Sequence, residues 1–297
     1  METHPRAVLI AGPTASGKSA LALRLARECD GVVVNADSMQ VYDRLSILTA
    51  RPSPEDLSAA PHRLYGHVDP RLPYSVARWL AEVAVELDRA AVERRPAIIV
   101  GGTGLYFRAL TQGLSDIPAI PDAIRARWRD FAAVAGPQAL ADELAARDPL
   151  MAARLRPSDT QRQTRALEVI DATGRSLADW QSVPKAPPLL DPAYCERLVL
   201  MPERAWLHGR INRRFDAMLA LGALDEARAI DALDLSADLP ARRAIGVGPM
   251  IAAARGDMPL DAAIERAKAE TRQYAKRQMT WFRNQMTDWR AVDPAQI

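Results

Sequence analysis

The stretch Gly12-Pro13-Thr14-Ala15-Ser16-Gly17-Lys18-Ser19 constrains this chain more than any other. It has the form G-x-x-x-x-G-K-[ST]. It lies between an apolar run, Ala7-Val8-Leu9-Ile10-Ala11, and a helical one that opens Ala20-Leu21-Ala22-Leu23. A strand feeding a glycine-rich loop feeding a helix is the setting in which this pattern binds phosphate. The glycines let backbone N–H groups converge on an anion, and the helix N-terminus adds a favourable dipole. Lys18 supplies a compact positive charge, and the Ser19 hydroxyl is a ligand for Mg²⁺. A chance glycine-rich turn is the plain alternative, and the flanking strand and helix weigh against it. The chain is expected to bind a di- or triphosphate through residues 12–19.

With 297 residues, 48% of them hydrophobic, the chain can bury the core of one large or two ordinary domains. Lys and Arg total 39 against 37 Asp and Glu, a net charge of +2, so affinity for nucleic acid must come from local clustering. The two cysteines, Cys29 and Cys195, form no C-x-x-C pair, which argues against a disulfide scaffold and a zinc site. No apolar run reaches the roughly 18 residues of a membrane span. No signal-peptide pattern precedes the first strand. A monomeric, soluble, cytoplasmic protein without a membrane partner is expected.

Along the chain, short apolar runs suited to a parallel sheet buried on both faces occur at Ala7–Ala11, Val32–Asn35 and Ala97–Val100. Helical patterns follow at Lys18–Glu28 and about Val76–Arg94. The second carries a stripe at Val76, Leu80, Val83 and Leu87. This alternation predicts an α/β core. From about Ser115 to Val183 the pattern is entirely helical, with breaks at Gly136-Pro137, Pro149, Pro157 and Gly174. Val183–Pro188 reads as a stiff linker. A β-like run at Arg197–Met201 resumes the sheet, and a long helix is expected from about Leu260 to Trp289. The predicted organisation is a phosphate-loop core over 1–114, an inserted all-helical domain over 115–196, and a return to the core with C-terminal helices over 197–297.

The second strand runs into Asn35-Ala36-Asp37-Ser38-Met39-Gln40. Ligands of open parallel sheets sit at the carboxyl ends of the strands, so Asp37 belongs near the phosphate loop. It reads as a Mg²⁺ carboxylate, a general base, or a simple turn aspartate. The third strand ends in Gly101-Gly102-Thr103-Gly104, where many nucleotide hydrolases carry an acid; none is present, which argues against an ATP-driven motor. Basic residues cluster at Gln161–Arg165, at Arg210–Arg214 and on the last helix. There Arg272, Lys276, Arg283 and Arg290 fall on one stripe at helical spacing. Tyr274, Trp281, Phe282, Met286 and Trp289 would form the core-facing side. A basic stripe opposite an apolar face suits a polyanion, although a solvated amphipathic helix has the same pattern.

These segments together resemble the tRNA dimethylallyltransferase (tRNA isopentenyltransferase) family, of bacterial type. The similarity lies in GPTASGKS (12–19), NADSMQVY (35–42), TARPS (49–53), APHRLYGHVDP (60–70), VGGTGLYFRAL (100–110), DTQRQTRALEV (159–169), RINRRFDAML (210–219) and KRQMTWFR (276–283). The resemblance implies transfer of a dimethylallyl group from its diphosphate to N6 of the adenine 3′-adjacent to the anticodon. The loop, of a nucleotide- and ATP-binding kind, would then hold the leaving diphosphate, with Mg²⁺, Lys18 and Arg214 offsetting its charge. Asp37 would be the base toward N6–H. Thr103 would contact the tRNA near that base. Contacts to the anticodon stem-loop would come from Asp37, Ser38, Met39, Gln40, Arg125, Gln161, Arg162, Gln163, Thr164, Arg165, Arg243, Lys276, Arg277 and Arg283. The target adenine would have to be flipped out of its stack to reach the loop.

The chain departs from the family at Arg51, where lysine is usual. It departs again at Val247 and Gly248, which stand where Tyr and Arg follow the glycine of the Arg243–Pro249 motif. The family's eukaryotic C-terminal zinc finger is not expected here. A small-molecule kinase with a helical lid and a non-catalytic RNA-binding ATPase share the phosphate loop and remain the alternatives.

Overall fold

The computed structural model describes residues 7–183 and 186–296. The described residues form a six-stranded parallel sheet in the order β3-β2-β4-β1-β5-β6. The strands are β1 (Ala7–Ala11), β2 (Val32–Asn35), β3 (His62–Arg63), β4 (Ala97–Gly101), β5 (Cys195–Leu200) and β6 (Arg290–Val292). β1 lies between β4 and β5, pairing Leu9 with Ile99 and with Arg197, so its C-terminal end opens at the centre of the sheet.

Strand geometry explains the two cores. Alternate residues point to opposite faces. Leu9, Val34 and Ile99 join one cluster, while Ile10, Val33, Ile98 and Val100 join the other. On the second face packs α1 (Lys18–Glu28), through Leu21, Ala22 and Ala26. The first face is covered by Trp79 and Val83 of α3 (Val76–Val92), by Tyr106, Phe107 and Leu110 of α4 (Gly104–Gln112), and by Phe282. Between α1 and α3 lies the short α2 (Pro54–Ala59).

The chain divides into two compact units, Gln112–Pro188 and the remainder. The smaller unit comprises α5 (Asp122–Arg147), α6 (Pro149–Ala152), α7 (Thr160–Thr173) and α8 (Leu177–Ser182) around Trp128, Leu140, Leu144, Met151, Leu167 and Val169. The break expected at Gly136-Pro137 is real: Gly136 takes φ 80°, interrupting α5. Buried Asp148 caps α6 at Met151 N–H and accepts the Ser176 hydroxyl at 2.7 Å. The helical unit thus begins and ends somewhat earlier than the 115–196 read from sequence. Of the expected linker, Pro184 and Lys185 lie outside the described residues.

The larger unit continues through α9 (Arg204–Ala220), α10 (Ala223–Asp231), α11 (Val247–Arg255) and α12 (Leu260–Gln285). The last helix stops short of the expected Trp289. Met286 leaves helical geometry at φ −126° and ψ 46°. Trp289 then packs edge-on to Phe107 at 5.3 Å, and Arg290 enters β6, where it pairs with Glu196 at 2.6 Å. Arg290 is therefore not part of a basic helical stripe.

Candidate active site

The phosphate loop follows β1 and is gripped from two sides. Ala15 packs in one apolar cluster with Leu207 and Ile211 of α9 and Ala275 of α12. Two arginines one turn apart on α9 reach the loop: Arg210 Nε donates to the Ala15 carbonyl at 3.0 Å, and Arg214 Nη2 donates to Thr14 Oγ1 at 2.6 Å. Ala15 itself holds φ 64°, an uncommon conformation for a residue with a Cβ and of the kind stored at functional sites. The Ser16 hydroxyl, fully buried, finds no protein partner. Gly17 caps α1 at φ 93°, and Ser19 at the second helical position is exposed.

Lys18 Nζ donates to the Pro13 carbonyl at 3.2 Å. Burial pulls its pKa down to about 8; the neighbouring Asp37 charge opposes this and Arg214 adds to it. The Arg214 guanidinium is likewise held down to about 10, chiefly by burial, again with Asp37 opposing. Two desolvated cations and one carboxylate therefore share a field at the loop. Such cations gain most from an anion brought among them.

Asp37 is fixed by its strand. Asn35, fully buried at the end of β2, accepts Asp37 N–H at 2.8 Å and donates to the Asp37 carbonyl at 2.9 Å and to the Leu64 carbonyl at 3.0 Å. Trp79 Nε1 holds the Asn35 carbonyl at 2.8 Å, and the Trp79 ring stacks on Tyr106 at 4.3 Å. One carboxylate oxygen, Oδ1, accepts Met39 N–H at 3.0 Å. The turn role weighed from sequence thus occupies that oxygen. Tyr65, Tyr106 and Tyr274 all have their phenol pKa values pushed up, chiefly by burial, with the Asp37 charge adding to it.

The β4–α4 turn adjoins Asp37. Thr103 Oγ1 accepts Ser38 N–H at 3.0 Å, tying the ends of β2 and β4. Two of the turn's glycines are there for close approach. A Cβ on Gly102 would lie 2.3 Å from Gln278 Nε2 and 3.3 Å from Asp37 Oδ2, and one on Gly104 would lie 2.1 Å from the Trp281 ring. Gln278 is a residue that sequence reasoning missed. It is 6% exposed on α12, accepts Thr14 N–H at 2.9 Å, and donates to the Gly102 carbonyl at 2.8 Å.

Other expected contacts fall into two groups. Lys276, Arg277 and Arg283 are exposed on α12 and Arg243 is exposed before α11, whereas Arg272 is half-buried and donates to Asn212 at 2.8 Å. Gln40 spends its amide on the Thr49 and Ala50 carbonyls, and Arg51 donates to the Tyr42 carbonyl at 2.9 Å, so both shape the loop after β2. Val247 is fully buried among Phe215 and Met250, which explains an aliphatic residue there. In the helical unit, Arg154, Leu155, Arg156, Ser158, Asp159 and Arg162 line a recess of about 450 Å³. Gln161, Arg162 and Arg165 are on the accessible side of α7, with Arg162 and Arg165 bound to Asp159 and Glu168. Arg125 keeps a long 3.5 Å pairing with Asp122. Gln163 is 1% exposed and donates to the Arg156 carbonyl at 2.7 Å, which braces the unit, while its Oε1 finds no protein partner.

Fold and site define an α/β protein with a phosphate-loop motif set beside a carboxylate. Comparison narrows the class. The IPP transferase family model matches residues 40–285, and an isopentenyl transferase model matches 5–71. The tRNA dimethylallyltransferase of Chelativorans sp. (strain BNC1) is 57% identical over 95% of this chain and 97% of its own. That of Allorhizobium ampelinum is 55% identical over 97% and 95%. Crystal structures of the Bacillus halodurans tRNA isopentenylpyrophosphate transferase and of a eukaryotic dimethylallyltransferase acting on tRNA match over 97% of this chain. The first is 36% identical over 89% of its own chain with a TM-score of 0.68; the second is 27% identical over 73% with a TM-score of 0.80. The chain belongs to the tRNA dimethylallyltransferase family.

Proposed function

We propose that this protein transfers the dimethylallyl group of dimethylallyl diphosphate to N6 of the adenine 3′-adjacent to the anticodon in tRNA, with release of diphosphate. The observation that carries the reading is the placement of Asp37. A strand-fixed carboxylate stands beside the phosphate loop, within the field of Lys18 and Arg214, with Oδ2 turned toward the Gly102 turn. The bond from the allylic carbon to oxygen breaks and its electrons go to the diphosphate. The N6 lone pair forms the new C–N bond, and the N6 proton passes to Asp37. Lys18 and Arg214 stabilise the charge that grows on the leaving group, with Thr14 and Arg210 holding the loop in shape.

Mg²⁺ fits as an ion shared with the donor. Among the described residues no group of three or more His, Cys, Asp or Glu gathers to cage a metal, so the ion would need diphosphate oxygens beside the Ser19 hydroxyl. Once bound it would supply charge neutralisation on the leaving group. The target adenine leaves its stack to reach the site, and neighbouring loop bases are read unstacked. Arg125, Gln161, Arg162, Thr164 and Arg165 offer contacts on the helical unit. Ser38, Met39, Arg243, Lys276, Arg277 and Arg283 offer them on the larger unit. No described helix is long and apolar enough to cross a membrane.

Labelled dimethylallyl diphosphate and an unmodified anticodon stem-loop test this directly. Label should enter the RNA with Mg²⁺ and without nucleotide. An acceptor with guanine in place of the target adenine should take none, because the amino group at C6 is gone. Phosphorylation of a small acceptor by ATP, without prenyl transfer, would overturn the proposal in favour of a kinase.

A further inference from the structure

One carboxamide spans the two halves of this site. Gln278 Oε1 takes the Thr14 N–H of the phosphate loop, and its Nε2 gives a hydrogen to the Gly102 carbonyl. Thr14 is held from the other side by Arg214, at 2.6 Å. Gly102 precedes Thr103, which holds Ser38 next to Asp37, and the Gly102 α-carbon is flanked by Gln278 and Asp37 Oδ2. The two hydrogen bonds have opposite polarity. A glutamate could accept from Thr14 but would meet the Gly102 carbonyl with like lone pairs. A methionine could do neither. Asparagine is one methylene shorter.

Gln278 rides on the helix whose outer surface exposes Lys276, Arg277 and Arg283, one to five residues away along the chain. Ala275 packs against the loop at Ala15 and Trp281 against the turn at Gly104, but Gln278 hydrogen-bonds both at once, so a shift of α12 on engaging RNA reaches the phosphate loop and the Asp37 turn together through it. We propose that Gln278 is a positioning residue that sets the donor loop against the acceptor carboxylate and makes the binding of diphosphate and tRNA mutually dependent. This rests on the reading above that α12 faces tRNA. Coupling of this kind is reciprocal: each ligand tightens the other by the same factor.

The test uses inorganic diphosphate, which cannot be transferred, as probe, with the full chain and an anticodon stem-loop. In the wild type the stem-loop should lower the diphosphate Kd by about five-fold or more. In Gln278→Met that factor should fall to near one, with stem-loop affinity alone within about two-fold of wild type and kcat down at least about ten-fold. Gln278→Glu supplies a second, independent readout. Its activity relative to the wild type at the same pH should rise as pH falls below about 7, where Lys18 already carries its proton and only the new carboxyl gains one to donate to Gly102; this ratio also decides the matter if the methionine variant does not fold. An absent coupling factor in an active wild type, a factor undiminished in Gln278→Met, or a flat Gln278→Glu profile would each overturn the proposal. A wild type that transfers no prenyl group at all would instead refute the functional reading beneath it.

Discussion

Donor binding should weaken with rising pH because Lys18 must carry its proton into the complex. Burial, with Arg214 adding and Asp37 opposing, holds the amine at about 8 instead of 10.5 in the unliganded protein. The donor's diphosphate is already ionised there, since a phosphomonoester's second pKa lies near about 6. If only the protonated amine binds well, the apparent Kd scales as one plus ten to the power pH minus 8. It is then about 1.1 times its limiting value at pH 7 and about 11 times at pH 9, a roughly ten-fold loss. The linkage has the opposite sign for the empty protein. Between about 8 and 10.5 the unfolded chain binds more protons than the folded one, so unliganded stability rises with pH across that window. Calorimetric titration with dimethylallyl diphosphate in the absence of tRNA, in two buffers of different ionisation enthalpy, reads both affinity and proton uptake. Near pH 9 almost one proton should be taken up per donor bound. A Kd constant from pH 7 to 9 with no proton uptake would show that Lys18 stays charged throughout and that desolvation does not govern it.

Asp37→Asn should cost about 10²–10⁴-fold in kcat while leaving donor affinity unchanged or improved, because a negative charge leaves the field of two cations; single-turnover kinetics separates the two, and a collapse of donor affinity would instead mark Asp37 as a metal or structural group. Trp79→Phe strips the donor from the buried Asn35 carbonyl, which should cost about 1–3 kcal/mol in urea unfolding and lower kcat by loosening Asp37, whereas unchanged stability would mean that the carbonyl finds another partner. Gly104→Ala drives a methyl into the Trp281 ring and should destabilise by about 1–3 kcal/mol. Gly248→Ala, at a helical position where a Cβ meets nothing within 4 Å, should stabilise by about 0.5–1 kcal/mol, and the reverse order of the two alanine variants would contradict the packing described.

What could be read from sequence was what repeats locally. The bounds of β1, α1 and β2 follow from apolar runs that end at glycine, asparagine or a loop motif, and they coincide with the structure. The Asp37 and Thr103 turns follow from the rule that ligands meet strand ends. β3 and β6 were hidden because two or three residues carry no period. The last helix seemed to run to Trp289 because aromatic spacing persists past the backbone break at Met286. Composition alone does not separate Arg213 in the basic cluster at 210–214 from Arg210 and Arg214, whose (i, i+4) spacing turns both toward the loop. Gln278 and Gln163 are polar residues on amphipathic helices. Tertiary packing buries both, and a helical wheel cannot assign that.

In the proposed reaction the phosphate loop holds a leaving group rather than a group to be transferred. That is measured most directly by counting products in one reaction mixture of protein, Mg²⁺, dimethylallyl diphosphate and anticodon stem-loop, with ATP added at equal concentration. One inorganic diphosphate should appear for each dimethylallyl group found on adenine N6, with no ADP and no phosphorylated RNA. Release of ADP or orthophosphate in step with product, or prenylated RNA that appears only when ATP is present, would contradict it.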